Sequence, residues 1–305
     1  MARIRFPMPS RPRQSGGYGR RSSRPMFGSS FKMRLLIAAG LAIFALISYY
    51  GSPGDKNQIT GEVERVALAD ERQEMALGAQ AAPEMIQQHR GVSRDGAAVD
   101  RVHRMGVRLL RGLEEYMDKL SQEKGVELHN PYQFNFTLLA DPQTVNAFAL
   151  PGGQVFITEA LYRRLDTEGE LAGVLGHEIG HVIERHGNKR MAQQKLFAGL
   201  AAAGGVAGGD VNSQRMSQMI AQMVSMSYGR EDELESDRWG VRLCAEAGYD
   251  PHAMIGLMEV LDEAGGGGGP PEMLSTHPKP ANRVKYIKEV IDLEFPNGVP
   301  ENLLP

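Results

Sequence analysis

The sequence predicts a mostly helical α+β domain with a small β-sheet, preceded by one membrane-spanning helix. Three observations predict this fold. An uncharged apolar run lies near the N-terminus at residues 35–50, several later segments repeat their apolar residues at helical spacing, and one central segment alternates with a period of two. At 305 residues the chain is long enough for one medium-sized domain and its attachments.

The composition is that of an ordinary globular protein, with 42% hydrophobic and 23% charged residues. The chain has one cysteine, Cys244, which excludes intrachain disulfides and thiolate metal clusters. A metal site in this chain must therefore use histidine and carboxylate ligands. We expect Cys244 itself to be an ordinary buried residue.

The charge is distributed unevenly along the chain. The first 34 residues contain nine Lys or Arg and no acidic residue, whereas the remainder carries 25 basic and 37 acidic side chains. A basic tail can bind nucleic acid, but the apolar run that follows favours a membrane, and we expect no nucleic-acid partner. Residues 1–34 are predicted to be a disordered tail, and residues 51–60 a linker.

Residues 35–50 are the predicted transmembrane helix. The run has 16 residues, which is short against the roughly 17–25 that span a bilayer. Arg34 at one end and Tyr49 and Tyr50 at the other suit the two membrane interfaces. We favour an uncleaved signal anchor with the domain on the extracytoplasmic, periplasmic side. The alternatives are a signal peptide cleaved near residues 52–54, which releases the protein into the periplasm, and an organelle transit segment.

The domain is predicted to occupy residues 61–295. Apolar stripes predict helices at residues 62–88 and 98–124. Residues 132–138 alternate like a half-buried strand, and residues 146–150 and 154–158 are paired strands joined by a Pro-Gly-Gly turn. A helix is expected to start at residues 166–170, and others at about 231–247, from residue 251 to the glycine-rich loop 265–269, and after Pro280. Residues 296–305 are predicted to be a C-terminal tail.

Two further segments are small, apolar or rich in methionine. Residues 195–207 contain too few strongly apolar residues to predict a second membrane span. Four methionines follow at helical spacing, and we expect them to pack in the core, with a peptide-contacting surface as the alternative. These are Met216, Met219, Met223 and Met226.

The helix that starts near residue 168 contains the sequence H-E-I-G-H at residues 177–181. His177 and His181 are four residues apart and so lie on one helical face, where two imidazoles can bind one zinc ion. Glu178 beside them is placed to deprotonate water. Glycines at positions 173, 176 and 180 each cost roughly 0.5–1 kcal/mol relative to alanine in a helix. Their presence predicts a close approach by another backbone.

A catalytic zinc site needs a third protein ligand, and the candidates lie downstream in an acidic helix. Glu233 and Asp237 are four residues apart on one face. Glu233 can bind the metal while Asp237 accepts the free N–H of a ligand imidazole. Spacing alone does not exclude Glu231 or Glu235 as the third ligand.

Three other segments accompany these motifs: N-A-F-A-L-P-G-G-Q-V-F-I-T from Asn146, E-L-A-G-V-L-G-H-E-I-G-H from Glu170, and L-S-T-H-P from Leu274. Together with the E-x-x-x-D pattern at Glu233, they resemble the zinc metallopeptidases of metallopeptidase family 48 over roughly residues 61–295. The predicted topology is similar to that of the single-span or periplasmic members and departs from the prenyl proteases, which have several spans. The resemblance implies a zincin-like fold and one zinc ion per chain.

The resemblance also implies roles for individual residues. The implied metal ligands are His177, His181 and Glu233, with Glu178 as the base and Asp237 behind one ligand. His277 is implied to approach the metal, where it either stabilises the oxyanion or occupies the open position. Arg283 is implied to hold substrate or the developing charge.

The substrate is expected to bind along a strand. The segment that begins at Gly153, Gln154 and Val155 is predicted to form the edge of the cleft and to pair with an extended peptide backbone. Main-chain pairing selects side chains weakly, which suits the clearance of misfolded proteins. The sequence thus predicts a membrane-anchored zinc endopeptidase for polypeptides, with misfolded or damaged envelope or membrane proteins as the expected substrates. The alternative is a metal-stabilised chaperone or scaffold that binds unfolded clients without cutting them.

Overall fold

The structure is a computed structural model, and it describes residues 29–208, 228–265, 273, 277 and 282–305. Within these residues the fold is mostly helical with two small sheets, which confirms the predicted α+β class. Most of the basic tail, the four methionines at 216–226 and most of the glycine-rich loop lie outside the described residues.

The described elements follow in chain order. The N-terminal half contains α1 (Ser29–Tyr50), β1 (Asp55–Lys56), β2 (Val63–Glu64), α2 (Glu71–Gln88), α3 (Gly96–Lys124), β3 (Asn135–Leu139), β4 (Ala147–Leu150) and β5 (Gln154–Thr158). The C-terminal half contains α4 (Glu159–Tyr162), α5 (Glu168–Ile183), α6 (His186–Gly208), α7 (Arg230–Glu246), α8 (Ala253–Gly265) and α9 (Arg283–Glu294).

Helix α1 contains the apolar segment near the N-terminus. Its part from Phe31 to Tyr50 has 20 residues and a mean hydropathy of 1.9, enough in length and composition to cross a membrane. The helix begins six residues before the predicted run at residues 35–50. It is therefore longer than that run and within the range of lengths that span a bilayer. Most of its large apolar side chains are exposed, as they are on a surface that faces lipid.

The prediction of a helix over residues 62–88 is wrong in its first third. Val63 and Glu64 form β2, which pairs antiparallel with β1. Helix α2 begins only at Glu71, after Asp70 accepts a hydrogen bond from the backbone N–H of Arg72. An extended pairing and an N-cap, neither of which the apolar spacing detects, therefore set the start of this helix.

The segment between α1 and α2 is folded onto the domain, although residues 51–60 were expected to be a linker. Arg185, fully buried at the end of α5, pairs with Glu74 at 2.6 Å and with Asp55 at 2.5 Å. The side chain of Asn57 donates to the carbonyl of Ile183 at 2.7 Å. These contacts tie the chain that leaves α1 to the C-terminal end of α5.

The larger sheet has the strand order β3–β5–β4, with β3 parallel and β4 antiparallel to β5. The predicted pairing of β4 with β5 across the Pro-Gly-Gly turn is confirmed. Gly152 and Gly153 in that turn have φ of +84° and +108°, a backbone conformation that favours glycine.

The position of β5 overturns one expectation about the cleft. Val155 lies opposite Phe136 on one side and Ala149 on the other, so β5 is the central strand. Gly153, Gln154 and Val155 therefore do not form an open edge, so the prediction that this strand forms the edge of the cleft is wrong, and a contact of these residues with substrate stays a prediction. Among the described residues β4 pairs only with β5, which leaves β4 as the edge strand on this side.

Helix α5 is buried along almost its whole length and packs against α3, α7, α8 and the sheet. It begins at a capping box, in which Thr167 Oγ1 accepts the N–H of Glu170 and the Glu170 carboxylate accepts the N–H of Thr167. The predicted C-terminal tail also packs here, since Pro305 accepts a hydrogen bond from the N–H of Gly169. The predicted helix start within residues 166–170 is confirmed, because α5 begins at Glu168.

Two glycines of α5 allow α7 to approach closely. A Cβ on Gly180 would lie 2.9 Å from Cβ of Trp239 and 3.0 Å from Cα of Ser236. A Cβ on Gly176 would lie 3.3 Å from Cα of Gly240. The predicted close approach at these glycines is confirmed, and it places the acidic face of α7 against the H-E-I-G-H segment.

Candidate metal and active site

His177 and His181 lie on the same face of α5 and are almost completely buried. Their Nε2 atoms are 3.0 Å apart. The Glu233 carboxylate, from α7, lies 3.6 Å from each of these nitrogens. The predicted ligands from two different helices are therefore brought together at one point.

His277 completes this cluster. Its Nδ1 lies 3.0 Å from Oε1 of Glu233, 3.1 Å from Nε2 of His181 and 3.4 Å from Nε2 of His177. Four donors arranged tetrahedrally around zinc at about 2.0–2.1 Å are separated by about 3.3–3.4 Å. The separations in the cluster, 3.0–3.6 Å, fit one such ion.

The structure separates the three acidic candidates for the third ligand. Glu233 is fully buried beside both histidines. Glu231 is exposed on the opposite side of α7. Glu235 instead accepts a hydrogen bond from His186 at 3.0 Å. Of these three acidic residues only Glu233 therefore lies at the histidine cluster, and its role as the third metal ligand stays a prediction.

The pKa shifts of His181 and Glu233 suit metal binding. Burial, together with the neighbouring His177 and His277, lowers the pKa of His181 well below its ordinary value, so its ring stays neutral. Burial alone would raise the pKa of Glu233, but the charges of His277, His177 and Arg283 lower it, so the carboxylate stays ionised. A neutral imidazole and an ionised carboxylate are the forms that bind a metal.

Asp237 contacts His177, and its role in supporting a metal ligand stays a prediction. Its Oδ1 lies 3.0 Å from Nδ1 of His177, on the side of the ring away from the other donors. Arg283 donates to both oxygens of Asp237, at 2.8 and 2.6 Å, and its Nη1 lies 3.2 Å from Glu233. The guanidinium is 1% exposed and engaged by these two carboxylates. Its contacts favour a role in positioning them, and a direct role with substrate stays a prediction.

Glu178 is buried beside the cluster. Neither of its carboxylate oxygens accepts a hydrogen bond from the described residues, and Nε2 of His277 is 3.7 Å from Oε1. Burial raises the pKa of Glu178, against the lowering effect of His277 and His177. A buried carboxyl group with free oxygens and a raised pKa is suited to accept a proton.

His186 has a place in the site that the sequence did not predict. Nδ1 of His181 lies 2.9 Å from Nδ1 of His186, and Nε2 of His186 lies 3.0 Å from Glu235. With Nε2 of His181 turned to the cluster, the simplest assignment of protons has His181 donating to His186 and His186 donating to Glu235. The signal for this contact in the sequence is a further histidine, which lies five residues after His181.

Tyr228 is the other residue that the sequence analysis missed. Its ring stacks on His181, with ring centroids 4.1 Å apart and planes inclined by 27°. The guanidinium carbon of Arg190 lies 4.4 Å from the centre of the same tyrosine ring. Strand β4 reaches this place too, because Ala149, Leu150, His181 and Tyr228 line one small cavity.

The donor set and the neighbouring edge strand place the domain in the metallopeptidase class. Comparison with known proteins narrows this class, because residues 110–291 match the model of peptidase family M48. The chain belongs to this family. The resemblance predicted from the motifs is thereby confirmed.

Curated relatives come from bacteria and from mitochondria. A beta-barrel assembly-enhancing protease of Escherichia coli is 34% identical over 161 residues, which are 50% of this chain and 33% of the relative. The mitochondrial metalloendopeptidase OMA1 of Arabidopsis thaliana is 32% identical over 157 residues, 52% of this chain and 32% of the relative. The human mitochondrial metalloendopeptidase OMA1 is 31% identical over 172 residues, which are 52% of this chain and 33% of the relative. The chain thus spans about a third of the length of these relatives.

Proposed function

We propose that this chain is a zinc-dependent endopeptidase that hydrolyses polypeptides and is held at a membrane by α1. The observation that supports the proposal most directly is the buried cluster of His177, His181, Glu233 and His277, with the free carboxylate of Glu178 beside it. Membership of a metallopeptidase family supports the same conclusion.

The donor set favours zinc. His177, His181 and Glu233 would hold the ion, since two imidazoles and one carboxylate are the ligands of many catalytic zinc sites. Zinc supplies a Lewis acid that acidifies water and polarises a carbonyl group. Asp237 keeps the proton of His177 on Nδ1, so that Nε2 offers its lone pair to the ion.

The chain's own residues would then move the proton. Glu178 would take it from the attacking water and deliver it to the leaving amine. His277 lies where the fourth partner of an ion would be, so its ring has to move before a peptide reaches the site. The alternative role for this ring is to donate a hydrogen bond to the oxyanion.

The substrate would bind along β4. Among the described residues the outer side of this strand is unpaired, and its residue Ala149 lines the same cavity as His181. An extended peptide added antiparallel to β4 would pair through its main chain and present a peptide bond to the site. Such recognition would accept many sequences that lack stable structure.

The apolar helix α1, which is long and apolar enough to cross a membrane, supports membrane association. We place the domain on the extracytoplasmic side, because nine basic and no acidic residues precede the span. Misfolded envelope or membrane proteins are the proposed substrates. The names of the relatives, a beta-barrel assembly-enhancing protease and a mitochondrial metalloendopeptidase, are compatible with such clients.

Metal removal tests the proposal. The full chain, purified in detergent, is treated with a chelator, dialysed and titrated with Zn²⁺ while the cleavage of an unfolded protein such as casein is followed. Cleavage is expected to disappear with the metal and to return fully at about one equivalent of zinc. Cleavage that survives complete removal of metal, as verified by elemental analysis, would overturn the proposal.

A further inference from the structure

Helices α1 and α6 lie side by side. A Cβ on Gly199 would be 2.7 Å from Cβ of Ala45, so the two backbones are in close contact there. Near the start of α6, Asn188 accepts from the N–H groups of Ala67 and Leu68, which follow α1 in the chain. The start of α6 thus lies near the chain that follows α1, whereas Gly199, further along α6, lies beside Ala45 within α1. The two helices are therefore antiparallel.

The charge pattern of α6 changes where it meets the membrane helix. Lys189, Arg190 and Lys195 lie in its first half, whereas residues 196–207 carry no charged side chain. The second half of α6 thus continues beside the apolar part of α1. Tyr49 and Tyr50 end the apolar part of α1, and aromatic residues of this kind prefer the interface between lipid and water.

A cavity of about 560 Å³ lies between α1, α6 and residues 65–67. One part of its lining is apolar and comes from both helices, with Leu41, Phe44 and Leu196 among the residues. The other part contains Arg65 and Lys195, two exposed cations at the level of the tyrosines. Among the described residues neither cation forms an ion pair with a carboxylate, although Arg65 lies 5.5 Å from the ring centre of Tyr50.

We propose that this cavity binds one anionic phospholipid. The phosphate would lie between Arg65 and Lys195, and an acyl chain would follow the apolar groove past Ala45 and Gly199. The volume is within the range of roughly 300–1,000 Å³ that is typical of ligand sites. An apolar groove that opens beside two cations at the end of a membrane helix matches the two halves of a lipid molecule.

The lipid would hold the active site at the membrane surface. Helix α6 begins at His186, which contacts His181, and Lys195 lies further along the same helix. Lys195, which would contact the lipid, and His186, which contacts a proposed metal ligand, therefore belong to one helix. This inference rests on α1 as a membrane anchor and not on peptidase activity, so each can fail without the other.

Native mass spectrometry of the full chain in a nonionic detergent tests the proposal. Phosphatidylglycerol and phosphatidylcholine with identical acyl chains are titrated separately. We expect one phosphatidylglycerol molecule to bind in preference to phosphatidylcholine. The double variant Arg65→Gln/Lys195→Gln should lose roughly thirtyfold in affinity for phosphatidylglycerol, from the contribution of two cations near a lipid surface.

The control variant Lys56→Gln/Arg94→Gln removes the same charge from exposed positions outside the cavity and should bind as the wild type does. Ala202→Phe, which fills the apolar part of the cavity, should weaken the binding of both lipids. Circular dichroism verifies that each variant is folded. Equal binding of the two lipids by the wild type, or unchanged binding by the Arg65/Lys195 variant, would overturn the proposal. Displacement of the lipid by millimolar inorganic phosphate would do the same, because it would indicate a simple anion site.

Discussion

Nδ1 of His277 lies 3.0 Å from Oε1 of Glu233, a residue 44 positions earlier in the chain. The same nitrogen is 3.1 Å from Nε2 of His181. The imidazole of His277 is therefore beside the proposed metal ligands, at the position that water and substrate need. This relationship suggests that the described conformation is a resting one.

Replacement of His277 tests this interpretation. His277→Ala should raise kcat/KM for a short peptide by roughly tenfold if about 1.4 kcal/mol holds the ring in place, because the site is then open in every free enzyme molecule. Stopped-flow or steady-state assays with a fluorogenic peptide measure the change, and His252→Ala, at an exposed histidine, is the control. A fall in kcat by roughly 10²-fold or more, with zinc retained, would instead assign His277 to the oxyanion.

Asp237 is expected to set the affinity for zinc through His177. Asp237→Asn keeps the shape but removes the charge that holds both the His177 N–H and the Arg283 guanidinium. Zinc affinity should fall about 10- to 100-fold, as for other partners of metal-bound histidines. Competition with a chromophoric chelator measures it, with Glu231→Gln on the same helix as the control. Wild-type affinity in the folded variant would contradict the proposed support.

The contact of His186 with His181 leads to a separate prediction. His186→Phe keeps a ring of similar size but removes the acceptor for Nδ1–H of His181. We expect zinc affinity to fall about tenfold. The visible spectrum of the Co²⁺-substituted protein should also shift, which a purely structural role would not cause. Glu235→Gln should have a smaller effect. His103→Phe, at an exposed position, is the control and should have none. An unchanged spectrum in His186→Phe would refute the role of His186 as the hydrogen-bond partner of His181.

The edge of β4 can be tested at one backbone N–H. Thr158 donates its N–H to the carbonyl of Asn146, so these two residues form a hydrogen-bonded pair. Hydrogen-bonded and non-hydrogen-bonded pairs alternate along an antiparallel ladder. Ala149 and Val155 are therefore a non-hydrogen-bonded pair, and the N–H of Ala149 points away from β5. Ala149→Pro should therefore preserve the sheet and remove a hydrogen bond to substrate, lowering kcat/KM by roughly tenfold. Ala149→Val keeps the N–H and serves as the control. If both variants cut as the wild type does, the substrate pairs elsewhere.

The sequence was sufficient for features that depend on local spacing. The four-residue interval of His177 and His181 predicted their common helical face, and the costly glycines predicted the approach of α7. Acidic residues predicted a helix start within residues 166–170, and α5 begins at Glu168. Each of these signals comes from a few neighbouring residues, whose geometry is fixed by the helix itself.

Features that depend on distant parts of the chain were harder to predict. The Pro-Gly-Gly turn predicted that β4 and β5 pair, but not that β3 would add in parallel to the other side of β5 and make it central. The choice of Glu233 over Glu231 and Glu235 required the orientation of α7 against α5. The ion pair of Arg185 with Asp55, which folds the expected linker onto the domain, joins residues 130 positions apart.

The most direct test of the proposed function is the variant Glu178→Gln. Glutamine fills the same buried space but cannot accept the proton from water. The purified full-length variant should retain one zinc per chain, and its kcat/KM for an unfolded protein should fall by roughly 10²–10⁴-fold. Glu184→Gln, at the end of the same helix, is the control for a change of charge.

Zinc content is measured by elemental analysis, and cleavage by mass spectrometry of the products. Retained zinc with lost cleavage is the result expected for a zinc peptidase with Glu178 as its base. Undiminished cleavage by Glu178→Gln would contradict that mechanism. If neither wild type nor variant cuts, while both contain zinc and bind the unfolded protein, the chain is a scaffold and not a peptidase.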